Sequence, residues 1–227
     1  MMLEKVGFSW SGGKDCALAF NEIIRTSKYD VIGLMTNVTE EYDRVSTHGV
    51  RRSLLEVQAE SLGVPLDVVL ISKDISDEEY ESKMRAVLSK YNAAGASSMV
   101  FGDIFLENVR KYREDILSKM GMRGIFPNWK KNTKELAKRF MDQGFRAIVV
   151  SVDSKVLDKG FVGREFDRQF LDDLPPTVDP CGENGEFHSF AYDGPIFKKR
   201  IRYDVGEIVL RENKFYYCDL VPLNPEA

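Results

Sequence analysis

Two short apolar runs narrow the folds open to this chain. "DVIGLM" (30–35) and "LDVVLI" (66–71) are nearly continuous in apolar residues, as strands covered on both faces are. Helical patterns lie between and after them. "CALAFNEIIRT" (16–26) reads as a helix, and so does "VRRSLLEVQAESLG" (50–63), with Leu54, Leu55 and Leu62 on one face and Gly63 at its end. "SDEEYESKMRAVLSKYNAAG" (76–95) opens on the cap residue Ser76 and spaces Tyr80, Met84, Val87, Leu88 and Tyr91 as a helix does. "NVRKYREDILSKMG" (108–121) is a further helix, while "KVGFSW" (5–10) and "SMVFG" (98–102) read as strands. Strand and helix in alternation predict an α/β fold with a Rossmann-like, doubly wound parallel sheet.

The alternation stops near residue 120. "NTKELAKRFMDQG" (132–144) reads as a helix, "RAIVVSVD" (146–153) as a strand, and residues 154–174 as helical or irregular. "PPTVDPCGENGEFHSF" (175–190) is rich in turn formers and reads as a loop. From 196 to 223 polar and apolar residues alternate, with turn signals at Asp204–Gly206 and Glu212–Lys214, which predicts antiparallel strands. The expectation is a nucleotide-binding domain over 1–120 and a smaller α+β substrate domain over 121–227. A chain of 227 residues has room for both.

The first strand runs into Ser11–Gly12–Gly13–Lys14–Asp15, and the first helix starts there. In a parallel sheet, ligands bind at this edge. Glycines let backbone amides close on an anion, and a helix N-terminus adds partial positive charge. Lys14 adds a full charge able to reach phosphate oxygens. Asp15 suits a Mg²⁺ that accompanies phosphate. The spacing is not that of a Walker loop, because Asp15 follows the lysine, and no GxGxxG is present. A plain strand-to-helix turn would not require the lysine and aspartate.

A second cluster, Cys181 to His188, sets Glu183, Asn184, Glu186 and His188 around Gly182 and Gly185. Two carboxylates beside glycines suit a substrate loop in which Glu183 and Glu186 hold ammonium or take a proton. A polar turn and a metal site are the competing readings; the second lacks structural-zinc spacing. Gly102 and Asp103 end a strand on the same sheet edge, and Arg110, Lys111 and Arg113 follow on a helix. Most of those three cations belong to a solvated face, but one near the α-phosphate would be useful. A net charge of −4 argues against a nucleic-acid-coating surface. Three separated cysteines and no basic-then-apolar leader give a cytoplasmic expectation. Cys16, at a helix N-terminus, is the one cysteine whose position raises the question of a reactive thiol.

"SGGKD" resembles the PP-loop of the N-type ATP pyrophosphatases, whose common motif is SGGxDS; Cys16 replaces the last serine. Within that superfamily the chain is similar to the diphthine–ammonia ligase family. The resemblance is carried by the PP-loop, "RVSTHGVRRSLLEVQAESLGVPL", "FGDIFLENVRKYRED", "GFRAIVVSVD" and "DPCGENGEFHSFAYDGPIF". It implies ATP held by Ser11, Gly12, Gly13, Lys14, Asp15 and Cys16, with Mg²⁺ through Asp15. It implies a nucleotide-facing loop at Gly102 and Asp103, and a loop over the adenine bearing Thr36, Ser46 and His48. The substrate loop would be Gly182, Glu183, Asn184, Gly185, Glu186 and His188. The implied reaction adenylates a carboxylate, diphthine on elongation factor 2 in that family, and aminates it with ammonium. A homodimer is left open. A tRNA thiolase would need paired cysteines, which are missing. A nucleotide sensor leaves the Glu183 loop without a role, and an enzyme acting on another small carboxylate fits the same residues.

Overall fold

The structure is a computed structural model and describes residues 2–223. Its first sheet contains β1 (Glu4–Ser9), β2 (Tyr29–Thr39), β4 (Leu66–Ile71), β5 (Ser98–Val100) and β6 (Arg123–Ile125), all parallel, in the order β4-β2-β1-β5-β6. A two-residue strand, β3 (Arg44–Val45), folds back antiparallel on the end of β2. The doubly wound α/β expectation is met. The sequence reading did not anticipate β3 and β6, which are two and three residues long and too short to show a period. Because β6 still belongs to the first sheet, the chain leaves that sheet after Ile125.

Helices cover both faces. Helix α1 (Lys14–Arg25) and α2 (Arg52–Leu62) pack Phe20, Ile23, Leu54 and Leu55 against Val6, Phe8 and Trp10. Helices α3 (Asp77–Ala93) and α4 (Glu107–Ser118) pack Met84, Leu88, Ile116 and Leu117 on the opposite face, against Met35 and Met99. Ser76 caps α3 by accepting the Glu79 amide at 3.2 Å. Gly63 ends α2 in the left-handed conformation, φ 75°. Gly7 and Gly33 leave room for the Tyr91 ring; a Cβ on either would come within 2.5 and 2.7 Å of its atoms.

The second sheet is antiparallel, in the order β8-β7-β10-β9: β7 (Arg146–Asp153), β8 (Phe187–Asp193), β9 (Tyr203–Arg211) and β10 (Phe215–Pro222). Helices α5 (Thr133–Asp142) and α6 (Arg168–Asp173) flank it. Two details differ from the sequence reading. Residues 187–190, read as loop, are the start of β8, whose apolar residues were masked by the turn formers before them. Asp204–Gly206 is not a turn: β9 runs through it, and the register slips opposite Asp219 between Cys218 and Leu220. Gly206 there accommodates a bulge. The turn at 212–214 is present, with Glu212 and Asn213 at φ 53° and 50° and Lys214 N–H donating to Arg211 O at 2.9 Å.

One continuous core joins the sheets, since Phe8, Trp10 and Phe20 belong to the same cluster as Phe187, Phe190 and Tyr192. Among the described residues no helix is long and apolar enough to cross a membrane.

Candidate active site

The loop between β1 and α1 is built by its neighbours as much as by its glycines. Gly12 adopts φ +78°, where a side chain would be strained and its Cβ would lie 2.8 Å from Gln58 Oε1. The Gly12 carbonyl accepts from Ala191 N at 2.8 Å, and the Ser189 hydroxyl accepts from Lys14 N at 3.2 Å. Strand β8, at the edge of its sheet, therefore docks onto the loop. Gln58, fully buried, ties the joint: its Nε2 donates to Gly12 O (3.1 Å) and Ala191 O (2.6 Å), and its Oε1 accepts from Trp10 Nε1 at 2.8 Å. The N-cap Gly13 offers no side chain to α1 and Ser189 takes the Lys14 amide, which leaves the first-turn amides of Asp15 and Cys16 without an intrahelical partner.

Lys14 does not point out of this loop. Its side chain is 3% exposed. The ammonium donates to Asp15 Oδ2 at 2.9 Å and to the carbonyl of Cys181, and stands over the rings of Phe166 and Phe187. Burial disfavours its charge, but Asp15, and more distantly Glu183, outweigh that and hold its pKa above the usual range. The lysine read as a phosphate contact is thus a bolt between the PP-loop and the 181–188 loop. Burial pushes the Asp15 carboxyl up against the pull of Lys14.

Glu183 crosses to the other strand-end loop. Its Oε1 accepts the amides of Ile104 (2.7 Å) and Phe105 (3.2 Å), beside Gly102 and Asp103. Burial raises its pKa to about 7, with Asp15 and Asp103 pushing the same way and the two amides opposing. Gly102 itself touches the PP-loop: a Cβ there would meet Cys16 N at 3.0 Å and Asp15 C at 3.1 Å. Asp103 pairs with Arg113 at 3.1 Å. Of the three helix cations, Arg113 reaches this edge, whereas Arg110 stacks on Phe126 and Trp129 and Lys111 pairs with Asp115.

Glu186 is turned inward. Its carboxylate accepts from Asp179 N, Asn184 N and Asn184 Nδ2, each at 3.0 Å, so it braces its own loop with Asn184. Gly182 and Gly185, at φ 68° and 88°, supply the turns. His48 and His188 meet, ring centroids 4.5 Å apart, with His48 against Gly13. Burial lowers both, His48 to about 4, so the pair is neutral at pH 7. The Thr36 hydroxyl is buried within β2 with no partner among the described residues, while Ser46 shares a hydrogen bond with Thr39. The Cys16 thiol lies 3.3 Å from Ser11 Oγ and is pushed up to about 11 by burial. It is a neutral thiol, not a reactive thiolate.

Three site residues escaped the sequence reading. Gln58 carried a weak signal, a polar side chain four and three positions from Leu54 and Leu55 on an apolar face. Ser189 and Asn128 carried none. Asn128 Nδ2 donates to the carbonyls of Asp15 (3.0 Å) and Gly102 (3.4 Å), binding a third loop to the first two. No three metal-ligating side chains converge among the described residues. Asp15, with Asp103 nearby, suits a Mg²⁺ that arrives on phosphate and keeps its waters.

Residues 4–124 match the diphthamide synthase N-terminal domain, and residues 132–220 match the diphthamide synthase C-terminal domain. Similar proteins include the diphthine–ammonia ligases of Homo sapiens and Bos taurus, each 24% identical. The alignments cover 88% of this chain and 83% and 82% of theirs. The zebrafish (Danio rerio) enzyme of that name is 25% identical over 89% of this chain and 88% of its own. With both halves matched in order, the chain belongs to the diphthamide synthase family, a family of ligase enzymes.

Proposed function

We propose that this protein is an ATP-dependent amide ligase that joins ammonia to a carboxylate through an acyl-adenylate, with diphthine, the substrate named for its relatives, as the first acceptor to test. The observation that carries this reading is the Lys14 ammonium bonded to the Cys181 carbonyl. It holds the anion loop and the Glu183 loop to one another, so that a phosphate site and a half-buried carboxyl share one cleft.

In this reading the pyrophosphate of ATP lies at the N-terminus of α1, on the amides of Asp15 and Cys16, since those of Gly13 and Lys14 are taken by the Ser11 and Ser189 hydroxyls. Asp15 would hold the Mg²⁺ that accompanies ATP, and the ion would supply positive charge for the leaving diphosphate. The substrate carboxylate oxygen attacks the α-phosphorus as the bond to the β-phosphate oxygen breaks, and pyrophosphate departs into amides already aimed at it. Ammonia then attacks the acyl carbon and AMP leaves. The nitrogen enters as ammonium and sheds two protons on the way to the amide: one goes to Glu183 Oε2, since Oε1 is occupied by two amides, and the other leaves with the AMP phosphate. A carboxyl with a pKa near 7 is matched to that transfer at neutral pH. Glu186 contributes by keeping the loop in shape.

ATP labelled at the α-phosphate, supplied with Mg²⁺, ammonium and candidate acceptors in turn, tests the proposal. Labelled AMP that appears with one acceptor supports it. Labelled ADP would mean that the bond broken is the wrong one for a PP-loop ligase.

A further inference from the structure

The chain has two histidines, one shortly before α2 and one at the start of β8, and the fold sets them face to face. The rings of His48 and His188 lie 4.5 Å apart between centroids, tilted by 36°. His48 rests on Gly13, the N-cap of α1, where a Cβ would come within 3.1 Å of its Nε2. His188 precedes Ser189, whose hydroxyl takes the Lys14 amide. An anion on the amides of Asp15 and Cys16 lies at that N-cap, and so beside the pair. The rings are not spent on the fold. His48 Nδ1 shares a hydrogen bond with Thr47 Oγ1 at 3.2 Å. Neither nitrogen of His188 has a hydrogen-bond partner among the described residues, and neither is sealed from solvent.

The charge around the pair is one-sided. Lys14, from α1, is the charged group that acts on both rings, and no carboxylate does. On the 46–49 loop the Ser46 backbone favours charge on His48, but burial overrides it. Behind that loop Tyr217 packs on Gly49 with its hydroxyl kept un-ionised by burial, and Asp219 is taken by Arg44 and Arg51. Nothing in the protein therefore holds a proton on the pair. A diphosphate beside Gly13 does, since an opposite charge within a few ångströms raises an imidazole by about 1–3 pH units. A second proton would be repelled by the first at this ring separation, so the pair gains one. The site has a use for it. Lys14, the cation expected on the phosphates, is turned onto Asp15 and Cys181, and Arg113 is paired with Asp103.

We propose that His48 and His188 together supply the missing cation of the PP-loop: the pair shares one proton while a di- or triphosphate lies beside Gly13, and is neutral when the loop is empty. This rests on the ATP-binding part of the reading above and not on amide formation.

With two histidines in the chain, the ring nitrogens of isotope-labelled histidine can be followed one by one. NMR spectra are recorded from about pH 5 to about pH 8, with and without saturating Mg-ATP. ATP should raise the titration midpoint of the pair by about two pH units, with one proton gained by the two rings together. Calorimetry adds the linked quantity. Between about pH 7 and about pH 5.5, Mg-ATP affinity should rise about tenfold more in wild type than in His48→Gln or His188→Gln, the increment of one linked proton. Histidines that only fill space would cost stability when replaced and leave the pH slope equal in all three proteins, which would overturn the proposal. ATP bound with both rings neutral across the range would overturn it too, with the ligase reading left standing. No ATP binding by wild type would overturn both. Rings that charge on binding ATP, with no acceptor yielding labelled AMP, would uphold the pair and overturn the ligase reading alone.

Discussion

Lys14 shows how a residue type can suggest one partner while the fold supplies others. A lysine after two glycines invites phosphate, but here the side chain is buried between Asp15, the Cys181 carbonyl and two phenylalanine rings. Lys14→Met should therefore cost stability first. Removing one member of a largely buried pair costs about 2–4 kcal/mol, or about 5–10 °C in a chain of this size, read by a thermal melt. A lysine that touched only phosphate would leave Tm unchanged and weaken ATP. Glu183 gives a pH signature. Its folded pKa, about 7, lies above its ordinary value of 4.5, so the folded state holds the extra proton between those values and stability falls as pH rises through that window. Glu183→Gln should flatten this part of the Tm-against-pH curve. It should also remove an amidation limb rising to a plateau above about pH 7, measured with ammonium saturating.

The ends of β1, β5 and β6 and the edge of β8 converge on a few backbone atoms, and substitutions there test the elements, not the side chains. Gly102→Ala would press a Cβ onto the backbone of Asp15 and Cys16, which cannot yield as a flexible side chain can. The β5 loop must then lift off the PP-loop. KM for ATP should rise about tenfold, a cost of about 1.4 kcal/mol in ground-state binding, with a small change in Tm; an unaltered KM would mean that the two loops need not touch during turnover. The parallel sheet, the PP-loop and the carboxylate loop were legible because each is a local pattern: apolar runs, glycine beside charge, turn formers in series. The docking of β8 on the PP-loop was not, because Ser189 and Ala191 meet residues 175 and 179 positions away through backbone atoms that no side-chain pattern marks. Asn128 was hidden for the same reason, since its partners are carbonyls. Glu186 was visible as a carboxylate, but only the loop's own amides show that it faces inward.

At the scale of the whole molecule, the matched family domains, 4–124 and 132–220, do not form separate bodies. Their sheets share one core, and Asp219 of β10 fastens the second sheet to the α2 end of the first through Arg51 (3.0 and 2.7 Å) and Arg44 (2.8 Å). We propose that the halves fold as one unit and that this clamp is part of the reason. The arginines lower the Asp219 carboxyl from 3.8 to about 2. A depressed carboxylate contributes stability that is present above its ordinary pKa and is lost as pH falls through the folded value. After allowance for the partly exposed arginines, the clamp contributes about 1–2 kcal/mol, or about 2–6 °C in Tm. Asp219→Asn should melt lower than wild type at pH 7, in a single transition, and the gap should close as pH falls from 3.8 toward 2. Two resolved transitions in the variant would show instead that the clamp, not the shared core, makes the melt cooperative. A gap constant with pH would assign the loss to packing around β10 and not to charge.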